Sequence, residues 1–271
     1  MNGANGSIQA IIMFISPMVS AALLGLTTIE VIFYIDVITA AIAIVTLLAF
    51  LKVSVHEKAS EKQTTSYFSD FKQGLHYVNT HDFLKKFFLF FAVFFVLMAP
   101  ASFLTPLQVT RSFGDDVWRL SAIEIAFSIG MMVGGGIIAS WGGFENKIKT
   151  LGSASVIMGV CTFALGVVPF FWGYLAFMAI FGVALPIFNT PATVLLQEKV
   201  EEDYLGRVFG VMGMISTSMM PLGMLIFGPI ADIIKIEWLL AGTGVFIIIL
   251  AVLLGQNQVL IEAGKPAFKK S

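Results

Sequence analysis

The chain has 271 residues, 58% of them hydrophobic and only 12% charged, with 16 Lys+Arg against 17 Asp+Glu. A soluble domain carries about 25% charge, so a cytosolic enzyme, a secreted disulfide scaffold and a disordered chain are excluded, and nucleic-acid binding goes with them for want of a basic excess. Cys161 is the single cysteine and permits no internal disulfide; a mean hydropathy of +0.91 leaves an integral membrane protein.

A membrane-crossing helix needs about 20 mostly apolar residues. In chain order, runs of that kind cover 7–29, 31–51 with Asp36 inside it, 87–110, and 120–144 with Glu124 inside it. Residues 150–197 are free of charge but too long for one crossing, and Pro169-Phe170-Phe171-Trp172-Gly173 supplies a turn with an interfacial aromatic pair. The runs 208–231 and 238–260 complete a set of eight helices. The alternating pattern of a β-barrel is absent, so the expected fold is all-α. The first six residues carry no basic charge, so no signal peptide is expected.

Lys and Arg divide thirteen to three between the two faces that this topology creates, with only Arg111, Arg119 and Lys235 on the poorer one. That bias places both termini and the 52–86 segment in the cytoplasm of a multi-pass cell-membrane protein. The expected divisions are 1–51, two helices; 52–86, a cytoplasmic linker; 87–260, six helices; and 261–271, a tail. Within the linker, Phe68, Phe71, Leu75 and Val78 recur at helical spacing, which predicts an amphipathic helix along the membrane face. His56, His76 and His81 all fall in the linker; with no acidic or cysteine cluster beside them, solvated side chains are the expectation and no metal site is assigned.

The first and seventh spans superpose with an offset of 204, Gly6 on Gly210 and Pro17 on Pro221. Parallel internal repeats are a building plan of transporters. Here the second repeat has four further helices ahead of its end pair, and the first does not. Glu124-Ile-Ala-Phe-Ser-Ile-Gly-Met, Trp141-Gly-Gly-Phe, Phe188-Asn-Thr-Pro, Tyr204-Leu-Gly-Arg-Val-Phe-Gly and Pro221-Leu-Gly together resemble the major facilitator superfamily, in its bacterial macrolide-efflux and siderophore-exporter branch. The resemblance implies twelve helices in two halves. This chain would supply the last two helices of the N-terminal half, the connecting loop and the complete six-helix C-terminal half. The family's cytoplasmic loop signature is faint between Gly136 and Lys149, where Ser140 and Trp141 stand in place of Asp and Arg.

Motifs for a phosphate-binding loop, a zinc protease or a serine hydrolase do not occur, so an enzyme is not expected and no cofactor is implied. Glu124 is the foremost candidate for proton coupling or substrate contact, because an ionisable group inside a span is costly and often functional. Ser121-Ala-Ile-Glu124 also has capping-box spacing, which would make Glu124 a helix-start residue instead. Asp36 is expected in a helix-dipole or packing role, and Asp232 as an interface anchor. Arg207, following Glu201-Glu202-Asp203, is either a gate residue paired with that loop or a plain cytoplasmic anchor.

Pro17, Pro100, Pro106, Pro186, Pro191 and Pro221 are expected to bend their spans. Asn189 and Thr190, before Pro191, are cavity-lining candidates, as are Phe91 and Phe95 from the phenylalanine-rich third span. Gly130 with Gly134, and Gly152, Gly159 and Gly166, fit close helix contact. The resemblance implies secondary active efflux of amphipathic small molecules, coupled to protons, by an antiporter lacking its first four helices. The alternative is a transport-inactive fragment, or a scaffold or partner subunit of a split transporter. A separate N-terminal helical segment would be the missing partner.

Overall fold

The computed structural model describes residues 29–50 and 67–266. The expected first span (apart from Ile29), residues 52–66 with His56, the Gly6 and Pro17 side of the internal repeat, and residues 267–271 lie outside the described residues. Helix α1 (Ile29–Phe50) is long enough to cross a bilayer. It is exposed along nearly all of 31–47, so its apolar side chains meet few others of the described chain. The Thr39 and Thr46 hydroxyls donate back to the carbonyls of Ile35 and Ile42 at 2.9 and 2.7 Å, which satisfies them where no water is at hand. Asp36 stands two turns inside α1, beyond the first turn where a helix dipole rewards a carboxylate.

Six further segments are long and apolar enough to cross a membrane: 82–113, 117–141, 147–167, 171–199, 202–233 and 236–256. The first is broken into α3 (Asp82–Phe103) and α4 (Thr105–Phe113) at Leu104. Pro106 causes the break, because it has no N–H to give to the Ser102 carbonyl, and it sits in the first turn of α4, where proline costs least. The remaining spans are α5 (Val117–Trp141), α6 (Lys147–Val167), α7 (Phe171–Lys199), α8 (Glu202–Ile233) and α9 (Ile236–Gln256). The turn expected at 169–173 separates α6 from α7. Pro186 and Pro191 lie inside α7, and Pro221 and Pro229 inside α8.

Packing runs in the neighbour order α8, α3, α9, α6, α7, α5. In lipid, where apolar burial gives no drive to helix association, close backbone approach takes over. Two seams achieve it with glycine. Between α5 and α7, a Cβ on Gly130 would collide with the Ala179 carbonyl, one on Gly134 with that of Val183, and one on Gly182 with that of Phe127. Between α6 and α9, the same holds for Gly166 against Glu237 and for Gly244 against the backbone of Phe163. The expected packing role of Gly130, Gly134, Gly159 and Gly166 is what the helices show. Gly152 has room for a Cβ, with Leu254 Cδ2 at 3.7 Å.

The aromatic stripe of α3 joins the bundle across its middle. Phe94 stacks on Phe188 of α7 with centroids 4.4 Å apart, and Phe91 meets the same ring at 5.2 Å. At the Lys-rich face, Asn146 caps α6 by accepting from Ile148 N and Lys149 N. Its Nδ2 donates at 2.7 Å to the Ile261 carbonyl in α10 (Gln258–Ala263), which ties that short helix to the start of α6.

The linker helix α2 (Tyr67–Thr80) forms as the spacing predicts, but its apolar face is rotated. Leu75 is 46% exposed, whereas Gly74, Tyr77 and Val78 are buried and Phe71 is half-buried. The helix docks on α8 and α3 because Gly74 admits the Arg207 backbone, 3.1 Å from where a Cβ would stand. Tyr77 then stacks on Tyr204, with centroids 4.3 Å apart.

Candidate functional site

Helix α5 begins at Val117, with Asp116 as its N-cap residue, and not at Ser121. The Asp116 carboxylate pairs with Arg119 at 3.3 Å, and the Arg119 guanidinium covers the rings of Trp118 and Phe171 at 5.4 and 5.9 Å. A cation folded onto two aromatic faces can lie in the first turn of a span, which is why the helix starts earlier than its charges suggest. Ser121 is therefore mid-helix, and its hydroxyl donates to the Val117 carbonyl at 3.3 Å. The capping-box expectation for Glu124 fails on this geometry, since no free N–H groups remain at that depth. Glu124 stands two turns inside α5, about 10 Å from its start by helix rise.

Glu124 is exposed and opens onto a cavity of about 220 Å³. The opposite wall comes from the α3–α4 break, with Ser102, Thr105 and Pro106; the remaining wall is apolar, chiefly Phe127, Met178 and Phe181. Pro106 creates this recess by interrupting the helix. The Thr105 hydroxyl turns back to the Ala101 carbonyl. Behind the cavity lies a buried polar chain: Tyr174 Oη donates to Gln108 Oε1 at 2.9 Å, and Gln108 Nε2 donates to the Leu165 carbonyl at 2.8 Å. One carboxylate and two hydroxyls in an otherwise apolar recess are the kind of lining that holds an amphipathic molecule in a fixed orientation. Sequence reasoning did not find Ser102, Thr105 or Phe181; each is ordinary in its own span and acquires meaning only where four spans converge.

The other candidates lie elsewhere. Asn189 and Thr190 are exposed on α7, outside the Glu124 cavity, and Thr193 continues that polar face one turn from Asn189. Phe91 is completely buried in the aromatic core, and Phe95 is half-buried beside it, centroids 5.9 Å apart. Phe91 meets Phe188 and Phe95 meets Phe94, at 5.2 and 6.0 Å between ring centres, and neither lines the cavity at Glu124. Arg207 lies inside the second turn of α8, with its guanidinium 5.6 Å from the Tyr204 ring centre and Nη1 donating to the Asp203 carbonyl at 3.3 Å. Glu202 and Asp203 occupy the first turn of α8, where the helix dipole favours acids. Among the described residues no group of three or more His, Cys, Asp or Glu is placed to hold a metal.

The family model of the Major Facilitator Superfamily matches residues 1–224. The chain belongs to the Major Facilitator Superfamily. It is 28% identical over 245 residues to Macrolide efflux protein A of Streptococcus pyogenes, an alignment covering 89% of this chain and 60% of the relative. It is 27% identical over 224 residues to Macrolide efflux protein A of Enterococcus faecalis, covering 82% of this chain and 69% of the relative. The chain thus spans about three-fifths of the length of the first of these relatives. The all-α membrane bundle and the macrolide-efflux branch expected from the sequence agree with these findings.

Proposed function

We propose that this chain is the C-terminal part of a secondary active exporter of amphipathic small molecules, with Glu124 as the proton-coupling or substrate-contacting carboxyl. The observation that carries the reading is Glu124 itself, two turns inside a span and open to a recess with hydroxyls on the facing wall. An ionisable group at that position is expensive to keep and marks a pathway by default. Charged, it attracts a cationic amphiphile; neutral, it releases one, and that alternation is what exchange of a proton for substrate requires. Support for efflux, and for macrolide-like cargo, comes from the names of the two relatives, both macrolide efflux proteins. In the same reading both termini and α2 face the cytoplasm, on the thirteen-to-three Lys/Arg bias.

The test is efflux in cells that express residues 1–271 with and without a four-helix N-terminal segment from a relative. Activity is expected only with the segment present, and Glu124→Gln is expected to abolish gradient-driven efflux at equal membrane abundance. Undiminished efflux in the Gln variant would remove Glu124 from the mechanism. The second reading, a transport-inactive fragment or partner subunit, rests on the 60% coverage of the relative; absence of transport in every combination would favour it.

A further inference from the structure

A groove of about 270 Å³ runs between α3 and α9 at the end of the bundle that carries Lys85 and Lys86. Its walls are Leu89 and Val93 of α3 against Leu250 and Leu253 of α9, and Lys86 and Asn257 close the end. Leu89, Val93 and Leu253 are 64, 38 and 56% exposed, although they lie in segments apolar enough to cross a membrane. From Lys86 to Val93 the groove is about 10 Å long by helix rise, the length of two helical turns. The first part of one acyl chain suits a trench of that length walled by leucine and valine side chains.

The polar end decides the headgroup. Lys86 forms no ion pair among the described residues, and Asp82, one turn away, is beyond ion-pair distance. The Asn257 oxygen accepts from Leu260 N, which leaves its NH₂ as a donor opposite Lys86. Lys85 is exposed alongside, and no carboxylate lines the groove. Basic pockets between spans at headgroup level hold anionic lipids. We infer that the α3–α9 groove binds one anionic glycerophospholipid, its phosphate on Lys86 and Asn257 and one acyl chain along Leu89, Val93 and Leu253.

The inference is tested by native mass spectrometry of the purified 271-residue chain, incubated with phosphatidylglycerol or with phosphatidylethanolamine of matched acyl chains. One tightly retained phosphatidylglycerol is expected. Lys86→Gln should lower its retention about fivefold, toward that of phosphatidylethanolamine, while Lys86→Arg keeps it. Leu253→Trp, which fills the groove but spares the cation, should also release the lipid. Glycerophosphoglycerol, the headgroup without chains, should not compete at equal concentration. Continued protection of buried Cys161 from a maleimide reports that each variant is folded. Equal retention of the two lipids, retention unaffected by Leu253→Trp, or displacement by the chainless headgroup would each overturn the proposal. Should Lys86→Gln unfold the chain, the Leu253→Trp and headgroup arms still decide it.

Discussion

Gln108 donates through Nε2 to the carbonyl of Leu165 at 2.8 Å, and the residue four positions after Leu165 is Pro169. A carbonyl near a helix end that faces a proline has no backbone N–H to accept from, so a side chain from another span supplies the donor. Tyr174 closes the chain by donating to the other end of the same amide. Three helices are thereby joined through one glutamine inside an apolar bundle.

Replacing that glutamine should be costly. Gln108→Leu removes the donor to Leu165 and the acceptor for Tyr174 together, and the loss is expected to be about 1–3 kcal/mol. Tyr174→Phe should cost less, because the Gln108–Leu165 bond survives. Thermal unfolding in detergent, followed by the exposure of Cys161 to a thiol-reactive dye, ranks the two. A larger loss for Tyr174→Phe would show that the Tyr174 hydroxyl, and not the Gln108 amide, carries the junction.

Glu124 lies too deep in α5 to serve as a cap. Glu124→Ala is therefore expected to leave the unfolding midpoint essentially unchanged, without the cap penalty of about 0.5–2 kcal/mol. The same unfolding measurement checks this independently of transport. A cap-sized loss would restore the helix-start role that the observed N-terminus at Val117 removes.

The docking of α2 rests on Tyr77, Tyr204 and the room left by Gly74. Tyr204→Ala should free α2, so that amide exchange over 67–80 rises at least about tenfold while exchange in α6 and α9 stays unchanged. Gly74→Val should act similarly, since its side chain meets the Arg207 backbone. Unaltered exchange in both variants would mean that the helix is held elsewhere.

The glycines of the bundle divide sharply by what lies opposite. Gly182→Ala presses a methyl into the Phe127 carbonyl and should destabilise the chain by about 1–3 kcal/mol. Gly136→Ala and Gly213→Ala meet open space and should be neutral or stabilising by up to about 1 kcal/mol, through helix propensity. Expression level and unfolding midpoint of the three variants separate the classes.

The spans were legible because length and absence of charge are enough to mark them, and Glu124 was legible as a lone acid inside one. The rest depended on tertiary partners. Arg119 looks like a loop residue until Trp118 and Phe171 are seen beneath it, so charge alone starts α5 at 120 and not at Val117. Pro106 predicts a bend within one span, yet it ends α3, because it has no N–H for the Ser102 carbonyl and the chain restarts as α4. Leu75 outranks Gly74 on any hydrophobic scale, but α2 turns toward α8 on Gly74 because contact distance, and not apolarity, governs that seam. The cavity residues Ser102, Thr105 and Phe181 are far apart in the chain, and no local pattern joins them.

The two glycine seams also constrain how the chain can drift. Glycine is the smallest residue, so every replacement at Gly130, Gly134, Gly182, Gly166 or Gly244 adds volume against a neighbour's main chain, which has no rotamer through which to retreat. Compensation would need an inward change on the opposing helix, and the opposing atoms are carbonyls and amides that no substitution can trim. A second mutation therefore cannot repair the first. These positions behave as one-way valves in sequence space, and the pairings of α5 with α7 and of α6 with α9 fix the residue choice at each of them.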